Sequence, residues 1–185
     1  VNTWAVIATG ASLKPAPELV VAKVRHLPCV AVNDAFRLAP WARALVAGDG
    51  EWWDCNRDAF AFAGDKWSAN ADRARVKRMR RPGVFTNTNS GLLGLYYAVD
   101  HGAERVLLLG VDMHGTHYFG PHTTRPNTTP QRFAVFLEQF RDAKRRIDCD
   151  VINCNPDSAL TLWPRMPLDD ALARVSLEAC EAAIT

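Results

Sequence analysis

The run Arg105-Val-Leu-Leu-Leu-Gly110 constrains the fold most. Four residues, Val106 to Leu109, pass without the polar alternation of a half-solvated strand. An unbroken apolar run bounded by a glycine is what a strand covered on both faces requires, and such strands sit in the middle of parallel sheets. Other short β-rich runs recur along the chain, at Trp4–Ala8, Cys29–Val32, Arg43–Ala47 and Asp150–Asn153. Between them lie segments with helical spacing. Glu18–Arg25 follows Pro15 and Pro17, Gly91–His101 follows Asn89-Ser90, and a third carries Phe133, Phe136, Leu137 and Phe140. Pro167 opens a terminal helix to about residue 183. Alternating strands and helices predict an α/β fold, a single Rossmann-like domain over residues 1–185 with a mostly parallel sheet and helices on both faces.

Residues 54–82 are the least regular part. Val84-Phe85-Thr86 reads as one more short strand. Within residues 68–82, the stretch Arg73 to Arg81 carries six basic residues in nine. It reads as a solvated helix face, or as a mobile flap that attracts phosphate. The net charge of +2 is too mild to point to nucleic acid. No run of about 18 apolar residues occurs, so no membrane span is expected. The segment Val1–Ile7 has no basic stretch or cleavage signal and reads as a strand, which places the protein in the cytoplasm. The five cysteines form no Cys-x-x-Cys, so reduced thiols are expected rather than disulfides or zinc.

In a parallel sheet, ligands bind beyond the carboxyl ends of the strands, where strand order reverses. The residues that follow each run are therefore candidates. They are Gly10-Ala11-Ser12, Asn33-Asp34, Asp49, Asn89-Ser90-Gly91, Asp112 with the loop behind it, and Asn153 to Ser158. Gly10 permits close backbone approach, and Asn89-Ser90-Gly91 puts amide groups at a helix start; both suit an anion. Each also has a plain structural reading, as turn or cap. There is no Gly-x-Gly-x-x-Gly, P-loop or Gly-x-Ser-x-Gly, which disfavours the standard dinucleotide, P-loop and hydrolase sites. Asp112-Met-His114-Gly-Thr-His117-Tyr118-Phe-Gly-Pro-His122 is the densest polar cluster. Three readings stay open for it: a metal site, a general base, or an exposed polar loop.

At these residues the chain resembles a known family. Asn89 to Asp112 is similar to the central Ser-Gly helix and Gly-x-Asp strand end of bacterial sialyltransferases of the Campylobacter type, and to the related 6-hydroxymethylpterin diphosphokinase-like proteins. His117-Tyr118-Phe119-Gly120 resembles their His-Tyr-Ile-Gly segment. Cys154-Asn-Pro-Asp-Ser-Ala-Leu160 resembles Cys-Pro-Asn-Ser-Leu-Leu, and Gly10-Ala-Ser-Leu13 the end of Gly-x-Gly-Pro-Ser-Leu. Val32-Asn33 matches the Asn-bearing second strand. The overall pattern also looks like that of phage and prophage proteins of this group, which would place it in host cytoplasm. Departures are the missing first glycine at Thr9-Gly10-Ala11, a shorter loop after Asp112, and no long membrane-associated tail.

The resemblance implies inverting transfer of a sugar from a CMP-linked donor to a hydroxyl, with no cofactor required. Carried over, Gly10, Ser12 and Asn33 flank the nucleotide and its phosphate. Ser90 and Gly91, behind Asn89, offer backbone amides, and Asn155 or Ser158 touches the cytidine or ribose. Tyr118 donates to the leaving phosphate, and His117 is the first candidate base with His122 second. The diphosphokinase-like branch instead implies ATP with Mg²⁺, held by Asp49 and Asp112. A further alternative is a non-catalytic module that sequesters a nucleotide. Because related enzymes assemble, the resemblance also implies a homo-oligomer.

Overall fold

The computed structural model describes residues 1–70, 75–85, 87–123 and 126–182. Seven strands form one sheet: β1 Thr3–Ile7, β2 Cys29–Val32, β3 Ala44–Val46, β4 Asp65–Ser68, β5 Lys77–Arg78, β6 Arg105–Leu109 and β7 Asp150–Asn153. Every neighbouring pair is parallel, and the order is β5-β4-β3-β2-β1-β6-β7. The α/β reading is correct. Strand order reverses at β1, because β2 to β5 are laid to one side of it and β6 and β7 to the other.

Side chains alternate across each strand and so feed two apolar layers. Ala5, Ile7, Leu107 and Leu109 face helices α1 (Pro17–Ala22), α2 (Gly50–Cys55) and α5 (Leu168–Ala182), with Val21, Trp52, Trp53 and Ala171 fully buried there. Trp4, Val6, Val30 and Leu108 face α3 (Ser90–Asp100) and α4 (Pro130–Lys144), against Leu92, Leu95, Tyr96 and Phe140. Arg105 to Leu109 is buried throughout, as an apolar run in mid-sheet should be.

Several local expectations need correction. Val84-Phe85 makes no strand: Phe85 N donates to Thr88 Oγ1 at 2.7 Å and Thr88 N returns to the Phe85 carbonyl, closing a turn. Thr86 lies outside the described residues. The basic run is not a helix over residues 75–81. Lys77 and Arg78 are a short edge strand against Trp67 and Ser68, anchored by buried Val76 and Met79 on either side. Arg73, with the rest of 71–74, lies outside the described residues. A short 3-10 helix at Arg57–Ala61 and strand β4 also occupy the segment read as irregular. Among the described residues no helix is long and apolar enough to cross a membrane. All five cysteines are free thiols. Burial pushes those of Cys29 and Cys154 up to about 12.

Candidate functional site

A cleft of about 300 Å³ opens over the carboxyl ends of the strands, where the order reverses. Its floor comes from the turns after β1 (Ala8 to Gly10) and β6 (Gly110 to Met113). One wall comes from Asn33, Asp34, Asp49 and Trp52, and the opposite one from Asn87 to Gly91 and the first turns of α4. His114, His117 and His122 close the top. Gly10, Asn33, Asn89, Ser90, Gly91, Asp112, His117 and His122 are therefore brought together although up to 112 positions separate them in sequence.

Asp112 organises the floor. It is 4% exposed, and its carboxylate accepts from Ser12 N at 2.9 Å, Ser12 Oγ at 2.5 Å and Asn155 Nδ2 at 2.9 Å. One carboxylate thus ties together the segments after β1, β6 and β7. Gly10 is a consequence of this packing. A Cβ there would lie 2.4 Å from Asp112 Oδ2 and 2.5 Å from the Gly110 carbonyl, so no side chain fits. Ser12, Asn155 and Ser158 do not line the cleft. Ser158 is fully buried, and its hydroxyl lies 2.7 Å from the Val111 carbonyl and 2.9 Å from Asn153 Nδ2. These three residues support the floor from behind. Of the two carboxylates considered for Mg²⁺, Asp112 is engaged by three donors, whereas Asp49 is exposed on the wall.

Two lining residues hold left-handed backbone: Asn33 in the wall at φ 51° and Met113 in the floor at φ 58°. Asparagine tolerates this conformation, but methionine adopts it at a cost, and such strain concentrates where a chain must present a surface. Helix α3 begins at the cleft. Asn89 caps it by accepting from Leu92 N at 3.1 Å, and the Ser90 hydroxyl accepts from Gly48 N at 2.9 Å. The amides of Ser90 and Gly91 precede the first intrahelical bond and face outward from the helix end.

The His117 ring is held on three sides. Its Nδ1 lies 2.8 Å from Thr9 Oγ1, its face stacks on Phe119 at 4.8 Å and 6°, and His122 sits 4.4 Å away. The backbone is fixed too, since Tyr118 N donates to the Thr9 carbonyl at 2.8 Å. When Nδ1–H donates to Thr9, Nε2 is left as an acceptor, the form a base needs. Tyr118 turns away: its ring packs against the α1/α2 layer and does not line the cleft. Burial and the nearby Asp34 carboxylate raise its phenol above the ordinary value.

Glu51, Trp52 and Arg132 line the cleft but were not apparent from sequence. Trp52 stands in α2, just before the segment read as irregular, and its Nε1 donates to Asp34 Oδ2 at 3.0 Å. Arg132 did leave a signal: it stands in the first turn of α4, which holds no acidic residue, against the preference of the helix dipole. Among the described residues no three His, Cys, Asp or Glu side chains cluster as a metal site.

No protein-family model matches the chain. No curated protein matches it in sequence. Among solved structures, the fold is similar to that of the sialyltransferase CstII from Campylobacter jejuni, determined in complex with a substrate analogue, CMP-3FNeuAc. The identity is 10% and the TM-score 0.51, over 90% of this chain and 86% of that one. At this identity the two chains share an α/β fold, and the likeness stops there.

Proposed function

We propose that the protein is a glycosyltransferase-like enzyme that takes a nucleotide-activated sugar, CMP-linked, and transfers it to a hydroxyl with inversion. The observation that carries this reading is the single cleft at the β1/β6 reversal, which joins Gly10, Asn33, the α3 start and His117. The fold likeness to a CMP-sugar enzyme supports it.

In the proposed step, His117 Nε2 accepts the proton of the acceptor hydroxyl while Nδ1–H is held by Thr9. The acceptor oxygen bonds to the anomeric carbon from the face opposite the phosphate. The bond from that carbon to the phosphate oxygen breaks, and its electron pair leaves with CMP. Backbone amides of Ser90 and Gly91 are placed to stabilise that departing charge, as fixed donors do best when preorganised. The step as written requires no metal ion. His122, beside His117, is the second candidate for the base.

Thermal unfolding with a panel of nucleotides, with and without Mg²⁺, tests the reading. CMP at 100 times its dissociation constant is expected to add about 2.7 kcal/mol of stability. No response to CMP, CDP or their sugars at millimolar concentration removes the proposal. ATP stabilisation that depends on Mg²⁺ and is lost in Asp112→Asn points instead to pyrophosphoryl transfer. His117→Ala is expected to bind CMP normally and lose about 10²-fold or more in turnover. Tight binding without any turnover in the unaltered protein would mark a sequestering module.

A further inference from the structure

We infer that Arg132 receives the negative charge of the donor, so that the phosphate lies at the α3–α4 end of the cleft and not at the Gly10 turn. This assignment rests on the nucleotide-donor reading and adds to it a residue and an orientation. The charges around the cleft are unequally placed. Four carboxylates line it: Asp34, Asp49 and Glu51 on the β2–α2 wall, and Asp112 in the floor. Arg132 is the one Lys or Arg among the described lining residues. A phosphate at the Gly10 turn would sit against Asp112, whose carboxylate oxygen lies where a Gly10 side chain would begin. Like charges at such range repel strongly when partly shielded from water.

Arg132 is built for the opposite end. Its Nη2 reaches the Asn87 carbonyl at 3.4 Å, and its guanidinium lies over the Phe136 ring at 4.9 Å. The same carbonyl accepts from Gln139 Nε2 at 3.1 Å, and Gln139 Oε1 accepts from Asn89 N at 2.8 Å. Arg132 is therefore fixed to the segment that leads into α3. Among the described residues Arg132 pairs with no carboxylate; Arg43 and Arg165 do not either, but they do not line the cleft, as Arg132 does. An unpaired cation in a helix first turn is disfavoured by the dipole, and an anion bound beside it reverses that balance. The ligand chemistry this fits is a phosphate ester whose uncharged, hydroxyl-bearing part extends toward the acidic wall.

Titration calorimetry of CMP and of cytidine against the wild-type chain, Arg132→Gln and Arg132→Lys separates the possibilities. The expected result is CMP affinity lowered about 10-fold or more in R132Q and partly kept in R132K. Cytidine, which lacks the charge, is expected to bind all three within about twofold. CMP binding is also expected to weaken more steeply with salt in the wild type than in R132Q. CMP binding that R132Q leaves unchanged overturns the assignment and spares the donor reading. Equal loss of CMP and cytidine makes Arg132 a structural residue and also overturns it. A wild-type chain that binds neither removes the donor reading, and this assignment with it.

Discussion

Asp112 shows how one side chain couples fold to cleft. Removing it leaves the buried Asn155 Nδ2 without its acceptor and frees the part-buried donors Ser12 N and Ser12 Oγ. Asp112→Ala is therefore expected to lower stability by about 3 kcal/mol in urea unfolding, and Asp112→Asn by less, since one acceptor oxygen remains. If Asp112→Ala unfolds like wild type, the floor is not organised as described. Gly10, Asn33, Asn89 to Gly91 and Asp112 were legible in the sequence because strand ends in a parallel sheet announce themselves. The supporting places of Asn155 and Ser158 were not. Their partners lie 43 and 46 residues away, at Asp112, and nothing local marks such a bond. Arg132 escaped for a related reason. Its meaning depends on Asn87, 45 residues earlier, being folded beside it.

Among the elements, α3 fits the sheet most closely. Gly94 meets β1 and β2 so tightly that a Cβ would lie 2.9 Å from both Val6 Cγ1 and Val32 Cγ2. Gly94→Ala is accordingly expected to cost about 1–3 kcal/mol despite alanine's better helix propensity, because overpacking outweighs the gain of up to about 1 kcal/mol. A neutral or stabilising result in thermal unfolding would mean that the helix can lift off the sheet. β1, β2, β3, β6 and β7 were readable from their apolar runs. β4 and β5 were not, since strands near an edge need no such run: Lys77 and Arg78 are both exposed, and β4 is buried only at Ser68. Charged residues at an edge also discourage pairing with a second sheet, so the basic run has an architectural role there.

For the whole molecule, the two ends of the sheet differ in kind. The carboxyl end holds the cleft, while the amino end is closed by Arg105. This residue is 5% exposed and bound to Asp150 of β7 and Glu178 of α5, both at 2.6 Å. Hydrogen bonds from Arg105, then Arg174, hold Glu178 below its ordinary 4.5, and one from Arg37 does the same for Asp58, below 3.8. A carboxyl that is more acidic in the folded state stabilises at pH above its unfolded value. That contribution fades as pH falls toward the folded value. Stability is thus expected to hold from pH 6 to 5 and to decline below about 4.5, with a shallower acid limb in Arg105→Met. Urea midpoints across this range check it, and an identical limb in the variant would remove Arg105 from the account.

The reversal of strand order has a consequence for how the chain reaches this form. β1 finds its second neighbour only in β6, with Thr3 opposite Arg105, so the middle of the sheet stays open until about a hundred residues have followed. The intervening βα units can associate on one flank beforehand, but that flank presents an unpaired inner edge meanwhile. Closing so long a loop late makes the central pairing a slow event, and the cleft, which straddles that pairing, forms only when it is complete.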